Sequence, residues 1–473
     1  MSQPTVERRL ASGAGLVLIY LFIQYAIPRP ESVQPEGWRL LGIFVATIAG
    51  LILQPIPGGA LVLMAVTLAS LAGGLTIQEA LGGYGDPTVW LVMAAFFIST
   101  AMIKTGLARR IALLFVRLVG RTSLGVTYAL SATDMVLASI IPSNAARSGG
   151  VVLPIARSIA ELYDSRPGPT ASRLGTFLTC AVYQNICVTA AMFLTGQASN
   201  PLAAKIAADT LGYPLDWLKW AAAGIVPGLA SLIAGPLLVR RLEPPEIRRT
   251  PEAAAFAARE LKAMGPIDWA QGTVLSIFVS VCGLWMTTPL HGLDIALTAL
   301  LGSCALLAVG ILTWEDVVSE KAAWSIFIWY GGLVRLGKAL NDAGVTQEFA
   351  KGVGGLLPGS GWVLLFALAL AIYFYSHYGF ASITAHILAM FAPFAAVLIA
   401  KGAPVGLVVL AFACFTNLAA GLTHYGTTPS PMFFATNYAS FRSFWRVGFA
   451  VSLLNIAIWT TLGFAWWKLI GVW

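Results

Sequence analysis

The sequence predicts an all-α polytopic membrane protein, and three observations carry that prediction. Hydrophobic residues fill 58% of the 473 positions and charged residues only 11%, against roughly 25% charged in a soluble domain. Apolar runs close to the roughly 20 residues that span a bilayer recur along the whole chain. The third observation is an internal repeat. Ser143-Asn144-Ala145-Ala146-Arg147 aligns with Ser382-Ile383-Thr384-Ala385-His386 at a spacing of 239 (382 against 143), with a basic residue four after the serine in both. A separate pair, Lys104-Thr-Gly-Leu-Ala108 and Asp342-Ala-Gly-Val-Thr346, agrees to within one residue, at 238 (Gly344 against Gly106). Repeats with broken helices in matching positions point to a transporter whose site lies where the breaks meet.

Residues 1–37 form the N-terminal segment and first helix, with a span near Ala11–Ile27. The first repeat, 38–239, opens with spans near Trp38–Leu53, Ala60–Leu75 and Thr88–Ile103. In Gly106–Gly120, Arg109, Arg110 and Arg117 alternate with apolar residues, the pattern of a helix lying in the interface. The next segment, 123–161, is interrupted at Pro142-Ser143-Asn144: Pro142 cannot extend a helix, and Ser143 or Asn144 can cap the one that follows. Each half is marginal for a full crossing, so the segment reads as a re-entrant hairpin whose tip reaches the bilayer interior. A discontinuous span, 172–211, breaks at Thr195-Gly-Gln-Ala-Ser-Asn-Pro201, and Trp217–Val239 completes the repeat.

The stretch 240–268 carries six basic residues and Pro-rich turns and reads as a cytoplasmic linker. The second repeat, 269–473, follows the same order: spans near Trp269–Thr287, Leu293–Leu312 and Ala322–Leu340, then an amphipathic piece to Gly355. A hairpin over 362–400 comes next, then a broken helix over 403–437 interrupted at Thr423-His-Tyr-Gly-Thr-Thr-Pro-Ser-Pro431, and a last span, Trp445–Ile470. Eleven crossings plus two hairpins place 19 of the 29 Lys and Arg on the linker's side and make the second repeat inverted relative to the first.

That asymmetry also explains the net charge of +8 without a nucleic-acid partner. Met1–Gly13 carries Arg8 and Arg9 and lacks a small-residue cleavage pattern, so it reads as an uncleaved cytoplasmic start, favouring a bacterial inner (plasma) membrane over an organelle. The five cysteines show no short pairing motif, so neither a metal site nor a disulfide framework is expected, and no cofactor is implied. There is no His-Glu-x-x-His helix and no Gly-x-Ser-x-Gly elbow, which argues against an enzyme.

An anion inside a membrane needs donors and positive potential. The breaks offer helix N-termini, hydroxyls at Ser143, Ser382, Thr384, Thr427 and Thr428, and amides at Asn144 and Gln197. Arg147 adds a fixed charge with a fork suited to carboxylate. It sits in the first turn of a helix, where a cation is disfavoured and a nearby anion would resolve the conflict. The blander alternative is a structural cation paired with Asp134. His386 matches Arg147 by repeat and is weighed against a packed core histidine. His377 and His424 are weaker candidates.

Taken together, the tips and the loops Gly196-Gln-Ala-Ser-Asn-Pro201 and Gly426-Thr-Thr-Pro429 resemble the divalent anion/sodium symporter family over nearly the whole chain after the first helix. Ser-Asn-Ala-Ala-Arg-Ser-Gly-Gly and Thr-His-Tyr-Gly-Thr resemble its branch of citrate/succinate antiporters and 2-oxoglutarate/malate translocators. The resemblance implies a homodimer with scaffold and transport domains, moving di- or tricarboxylates by an elevator displacement. It also implies Ser-Asn-Thr at each tip, and here Ala145 replaces the first Thr and Ile383 the second Asn. Ser139 remains available to a first sodium site, whereas Tyr378 in the matching position is a poor ligand. Sodium-independent exchange is the expectation; sodium- or proton-coupled symport is the alternative.

Overall fold

The computed structural model describes residues 6–355 and 361–473, with side chains described outside 6–10, 350 and 353–355. Met1–Thr5 and the side chains of Arg8 and Arg9, part of the expected cytoplasmic start, lie outside the described residues. The described chain is helical, with no strand; an isolated bridge pairs Thr122 with Arg249. Eight of its helices are long and apolar enough to cross a membrane.

In chain order the principal helices are α1 (Val6–Ala26), α2 (Pro35–Leu53), α3 (Gly58–Leu71), α4 (Pro87–Lys104), α5 (Leu107–Val119), α6 (Ser123–Ala138), α7 (Leu153–Leu162), α8 (Gly175–Met192), α9 (Asn200–Leu211) and α10 (Trp217–Leu242). They continue as α11 (Pro251–Ala263), α12 (Trp269–Met286), α13 (Ile295–Ala308), α14 (Lys321–Asp342), α15 (Val345–Gly355), α16 (Trp362–Tyr375), α17 (Ala392–Ala400), α18 (Val405–Ala419), α19 (Pro429–Phe434) and α20 (Phe441–Ile458).

The stretch 240–268 is more ordered than a Pro-rich linker suggests. Pro251 at the first helical position and Glu252 in the first turn start α11, a pairing that favours a helix N-terminus. Its Ala-rich face packs on α5, where buried Arg110 donates to Gln271 Oε1 (2.7 Å) and to the Gly265 carbonyl (2.9 Å).

The helices α8 and α18 form the centre. From Phe177 to Met192, and from Gly406 to Ala419, every residue is buried. Helices buried on every side present no face to solvent or lipid, so these two sit innermost, with α6 and α10 against α8 and with α16 against α18.

The repeat is visible in backbone detail. Short helical turns Asn144–Arg147 and Ile383–His386 are each followed by a π-helical turn, Ser148–Val152 and Ile387–Phe391, then by α7 and α17, with Pro154 and Pro393 in their first turns. Every one of these pairs is offset by the same 239 residues. Gly106 and Gly344 both have positive φ (75° and 78°), because each makes the left-handed turn between a long helix and an amphipathic one. That requirement accounts for the second sequence anchor.

Candidate functional site

At tip 1, Ser143 caps the turn that follows: its Oγ accepts the Ala146 N–H at 3.1 Å. Tip 2 has the same cap, with Ser382 Oγ accepting the Ala385 N–H at 3.3 Å. Both serines are partly exposed, as are Ala145 and Thr384.

Arg147 is wholly buried. Its Nε donates to Asp134 Oδ1 at 2.9 Å, its Nη1 to the carbonyls of Ile141 (2.5 Å) and Gly196 (2.8 Å), and its Nη2 to Asn144 Oδ1 (2.8 Å). Asp134, 1% exposed, is itself held by the Thr189 hydroxyl. The anion that relieves Arg147's unfavourable place near a helix N-terminus is thus a protein carboxylate, and the guanidinium is not left as an uncompensated charge. Its remaining partners form a cage of oxygens built from tip 1 and the first break loop.

His386 is buried beneath tip 2. Its Nε2 lies 2.9 Å from the Tyr373 carbonyl and 3.0 Å from Ser376 Oγ. A carbonyl can only accept, which puts the proton on Nε2. The ring packs against Tyr373, His377 and Phe380, with centroids 4.4, 5.0 and 5.1 Å away. His386 Nδ1 and His377 Nδ1 are buried without a hydrogen-bond partner among the described residues.

The four interruptions are stitched to one another. Tip 1 meets the first break loop through Arg147 and Gly196. That loop meets tip 2 where Ser199 Oγ and Thr384 Oγ1 lie 2.5 Å apart. His377 Nε2 donates to the Gly426 carbonyl at 2.8 Å, joining the turn just before tip 2 to the second break loop. Met432 closes the circuit, since a Cβ on Gly149 would meet its Cε at 2.1 Å. Across the centre, Asn417 Nδ2 donates to Asn200 Oδ1 at 2.8 Å, and the Tyr183 and Ser430 hydroxyls are bonded.

Other candidates are placed less centrally. Gln197 Oε1 accepts the adjacent Ala198 N–H at 2.9 Å, so its amide folds back on its own loop. Thr427 is buried, and its N–H donates to Ser430 Oγ at 3.0 Å, while Thr428 is exposed. His424 accepts from Trp445 Nε1 at 3.1 Å within an aromatic cluster.

Sequence reasoning named the first break loop but missed Ser199 and Asn200 within it. It also missed Thr189 and Asn417, whose only signal is polarity inside an otherwise apolar run.

Broken helices paired in two repeats, with polar groups ringed at their breaks, define a multi-pass membrane transporter and not an enzyme. Residues 9–473 match the family described as "Sodium:sulfate symporter transmembrane region". The chain belongs to that divalent anion/sodium symporter family. It is 42% identical over 452 residues to the "Putative malate transporter YflS" of Bacillus subtilis (strain 168), covering 95% of each chain. It is 41% identical to "Dicarboxylate transporter 1, chloroplastic" of Arabidopsis thaliana, covering 95% of this chain and 82% of that one. Against the "Inner membrane protein YbhI" of Escherichia coli (strain K12) it is 34% identical, over 94% of this chain and 95% of that one. The fold also resembles the Alcanivorax borkumensis YdaH transporter, with a TM-score of 0.55 over 98% of this chain and 99% of that one at 13% identity.

Proposed function

We propose that the chain exchanges small di- or tricarboxylates, of the malate, succinate, 2-oxoglutarate and citrate class, across a bacterial inner membrane. The exchange runs by alternating access, needs no sodium, and returns a carboxylate for each one carried. The proposal includes eleven crossings and two re-entrant hairpins in inverted repeats, a scaffold and a mobile transport domain moving as an elevator, and a homodimer. Relatives named for malate and dicarboxylate transport support the substrate class.

One observation carries the coupling mode. At tip 1 the oxygens of Asn144, Ile141 and Gly196 already accept from Arg147, and the Ser139 hydroxyl is turned back to the Val136 carbonyl at 2.7 Å. At tip 2, Ile383 supplies no side-chain oxygen. Both features favour a site that carries no cation able to leave with the substrate. Asp134 neutralises Arg147, and the positive potential offered to a carboxylate comes instead from the helix N-termini at the breaks, each equivalent to about +0.5 charge. An empty carrier must move that potential and its open donors through a poorly hydrated barrier, whereas a bound carboxylate satisfies both. Ser143, Asn144, Ser382, Thr384, Thr427 and Thr428 are proposed as substrate contacts, with Gln197 flanking them. Arg147 and His386 are proposed as fixed groups seated behind the two tips.

Uptake of labelled dicarboxylate into proteoliposomes, in sodium-free buffer with and without internal unlabelled dicarboxylate, tests the reading. Uptake confined to preloaded vesicles is the expected result. Strong uptake into empty vesicles, or an absolute need for sodium, returns sodium-coupled symport to first place, and uptake that collapses with the proton gradient does the same for proton coupling.

A further inference from the structure

A cavity of about 400 Å³ lies away from the ring of breaks, between α2, α14 and α15 on one side and α9 and the hairpin limb around α17 on the other. Its walls are apolar along most of their length, with Phe44, Ile48, Leu202, Leu333 and Leu388 among them. At one end the lining becomes polar, with Thr210 near the end of α9, Lys338 in the last turns of α14 and Thr346 at the start of α15. The helix ends meet there, since Asn341 Nδ2 donates to the Asp209 carbonyl at 3.5 Å. From Leu202 to Thr210 the cavity follows about 12 Å of helix, toward the level of the first break.

The charges at the polar end are unequal. Lys205 is bridged to Asp86 at 3.0 Å and to Asp209 at 3.1 Å, a group that keeps one negative charge in excess and leaves Lys338 as the cation open to a headgroup. Lys338 is exposed and has no hydrogen-bond or ion-pair partner among the described residues, although Asp342 lies one turn further on. Nor do the Thr210 and Thr346 hydroxyls have a protein partner among those residues. A slot with apolar walls, ending in one free cation and two free hydroxyls, is complementary to an amphiphile with an anionic head. Membrane bilayers contain such molecules.

We propose that the cavity binds one phospholipid with an anionic headgroup, its phosphate on Lys338 and an acyl chain lying along α2 toward Ile48 and Leu388. The end that holds Lys338 is the membrane face opposite the 240–268 stretch. The other end of α14 lies on that stretch's side: Thr100 Oγ1 donates to Glu320 at 2.9 Å and Lys104 reaches Asp316 at 2.5 Å, while α5, next in the chain, packs on α11. The lipid therefore comes from the leaflet remote from the linker. It touches α9, which continues from the Ser199 loop, and the limb that descends from tip 2, so it borders the supports of the ring without entering it.

The test is lipid retention by the full-length protein, delipidated in detergent and followed by native mass spectrometry as phosphatidylglycerol or neutral phosphatidylcholine is titrated in. The expected result is one saturable phosphatidylglycerol per protomer that phosphatidylcholine does not replace. Lys338→Glu should weaken it at least about fivefold, the effect of roughly one basic residue on an anionic lipid. Val45→Trp, which fills the slot, should abolish it, and Lys219→Glu, an exposed lysine elsewhere, should leave it unchanged. Equal retention of the two lipids, an unchanged site in Val45→Trp or Lys338→Glu, or an equal loss in Lys219→Glu would overturn the proposal and leave only a lipid annulus. Retention is read without transport, so this result and the exchange assay can fail independently.

Discussion

Asp134→Asn is the perturbation that separates a buried ion pair from an exposed one in this protein. Asp134 and Arg147 are 1% and 0% exposed at 2.9 Å, whereas Asp316 and Lys104 are 24% and 43% exposed at 2.5 Å. Distance alone would rank the second pair higher. Burial reverses the order, because an uncompensated charge in the interior costs about 3–5 kcal/mol while an exposed pair is worth about 0–1 kcal/mol. Asparagine preserves the shape at position 134 and can still accept from Arg147 Nε, so the substitution removes mainly charge. A double-mutant cycle over Asp134→Asn and Arg147→Met, read by equilibrium unfolding in mixed micelles, should give a coupling of at least about 2 kcal/mol. The parallel cycle over Lys104→Met and Asp316→Asn should give less than about 1 kcal/mol. A dicarboxylate should also stabilise Asp134→Asn more than the parent, since a bare guanidinium behind tip 1 attracts an anion that binds the native state. A cost below about 1 kcal/mol for Asp134→Asn would refute the claim that this pair is the anchor of tip 1.

Three further outcomes are expected. Thr384→Val removes the contact with Ser199 Oγ at a partly exposed position, so the fold should survive while the exchange KM rises about tenfold, the equivalent of one hydrogen bond of roughly 1.4 kcal/mol; an unchanged KM would take Thr384 out of the site. Gly448→Ala would place a Cβ 2.5 Å from the Gly421 carbonyl, pushing α20 off the second break, and should lower stability by about 1–3 kcal/mol. By contrast Gly283→Ala, in α12 with nothing within 4 Å, should be neutral or stabilising by up to about 1 kcal/mol in thermal melts. Finally, the Lys104 ammonium and the Thr313 N–H hold the Asp316 carboxyl down at about 2. Its contribution is complete above the usual carboxylate range and is lost as pH falls from about 4 to 2, so Asp316→Asn should flatten the acid limb of the unfolding curve by lowering stability near neutral pH while leaving it unchanged near pH 2.

The breaks were legible because each needs residue types that a spanning helix avoids. Pro142, Ser143 and Asn144 interrupt an apolar run, and a second serine 239 residues later does the same. What the sequence could not show is which polar groups face one another. The sequence leaves Arg147 between a substrate ligand and a partner of Asp134, because Asp134 lies 13 positions back, beyond the break. Only the fold across the break brings them to 2.9 Å. Ser199, Asn200 and Asn417 were equally hidden, since their contacts cross 185 to 217 residues. Composition marks such residues as polar and buried, and says nothing of their partners. The helix α11 was overlooked for a different reason: its charges resemble a solvated loop, and its Ala face has a use only once α5 is beside it.

The two halves of the ring differ in how completely they are satisfied, and that difference can be tested at one pair of threonines. In the first break loop Thr195 Oγ1 donates to the Ser139 carbonyl at 2.6 Å and accepts from Trp217 Nε1 at 3.1 Å. In the second, Thr423 Oγ1 is buried with no partner among the described residues, as are Asn417 Oδ1 and the Nδ1 atoms of His377 and His386. A buried group left without a hydrogen bond costs about 1–3 kcal/mol, and buried polar groups in native proteins are rarely left so. The cluster around tip 2 is therefore where a bound water or a substrate oxygen gains most. Thr195→Val orphans the Trp217 donor and takes the hydroxyl from the Ser139 carbonyl, so it should lower stability by about 1–3 kcal/mol. Thr423→Val removes an orphan and should be thermally silent or stabilising, and if the hydroxyl receives substrate, exchange should fall while the melting temperature does not. Equal destabilisation by both variants would show that Thr423 is already satisfied by solvent. Full exchange by a stable Thr423→Val protein would move the open half of the site away from the second break.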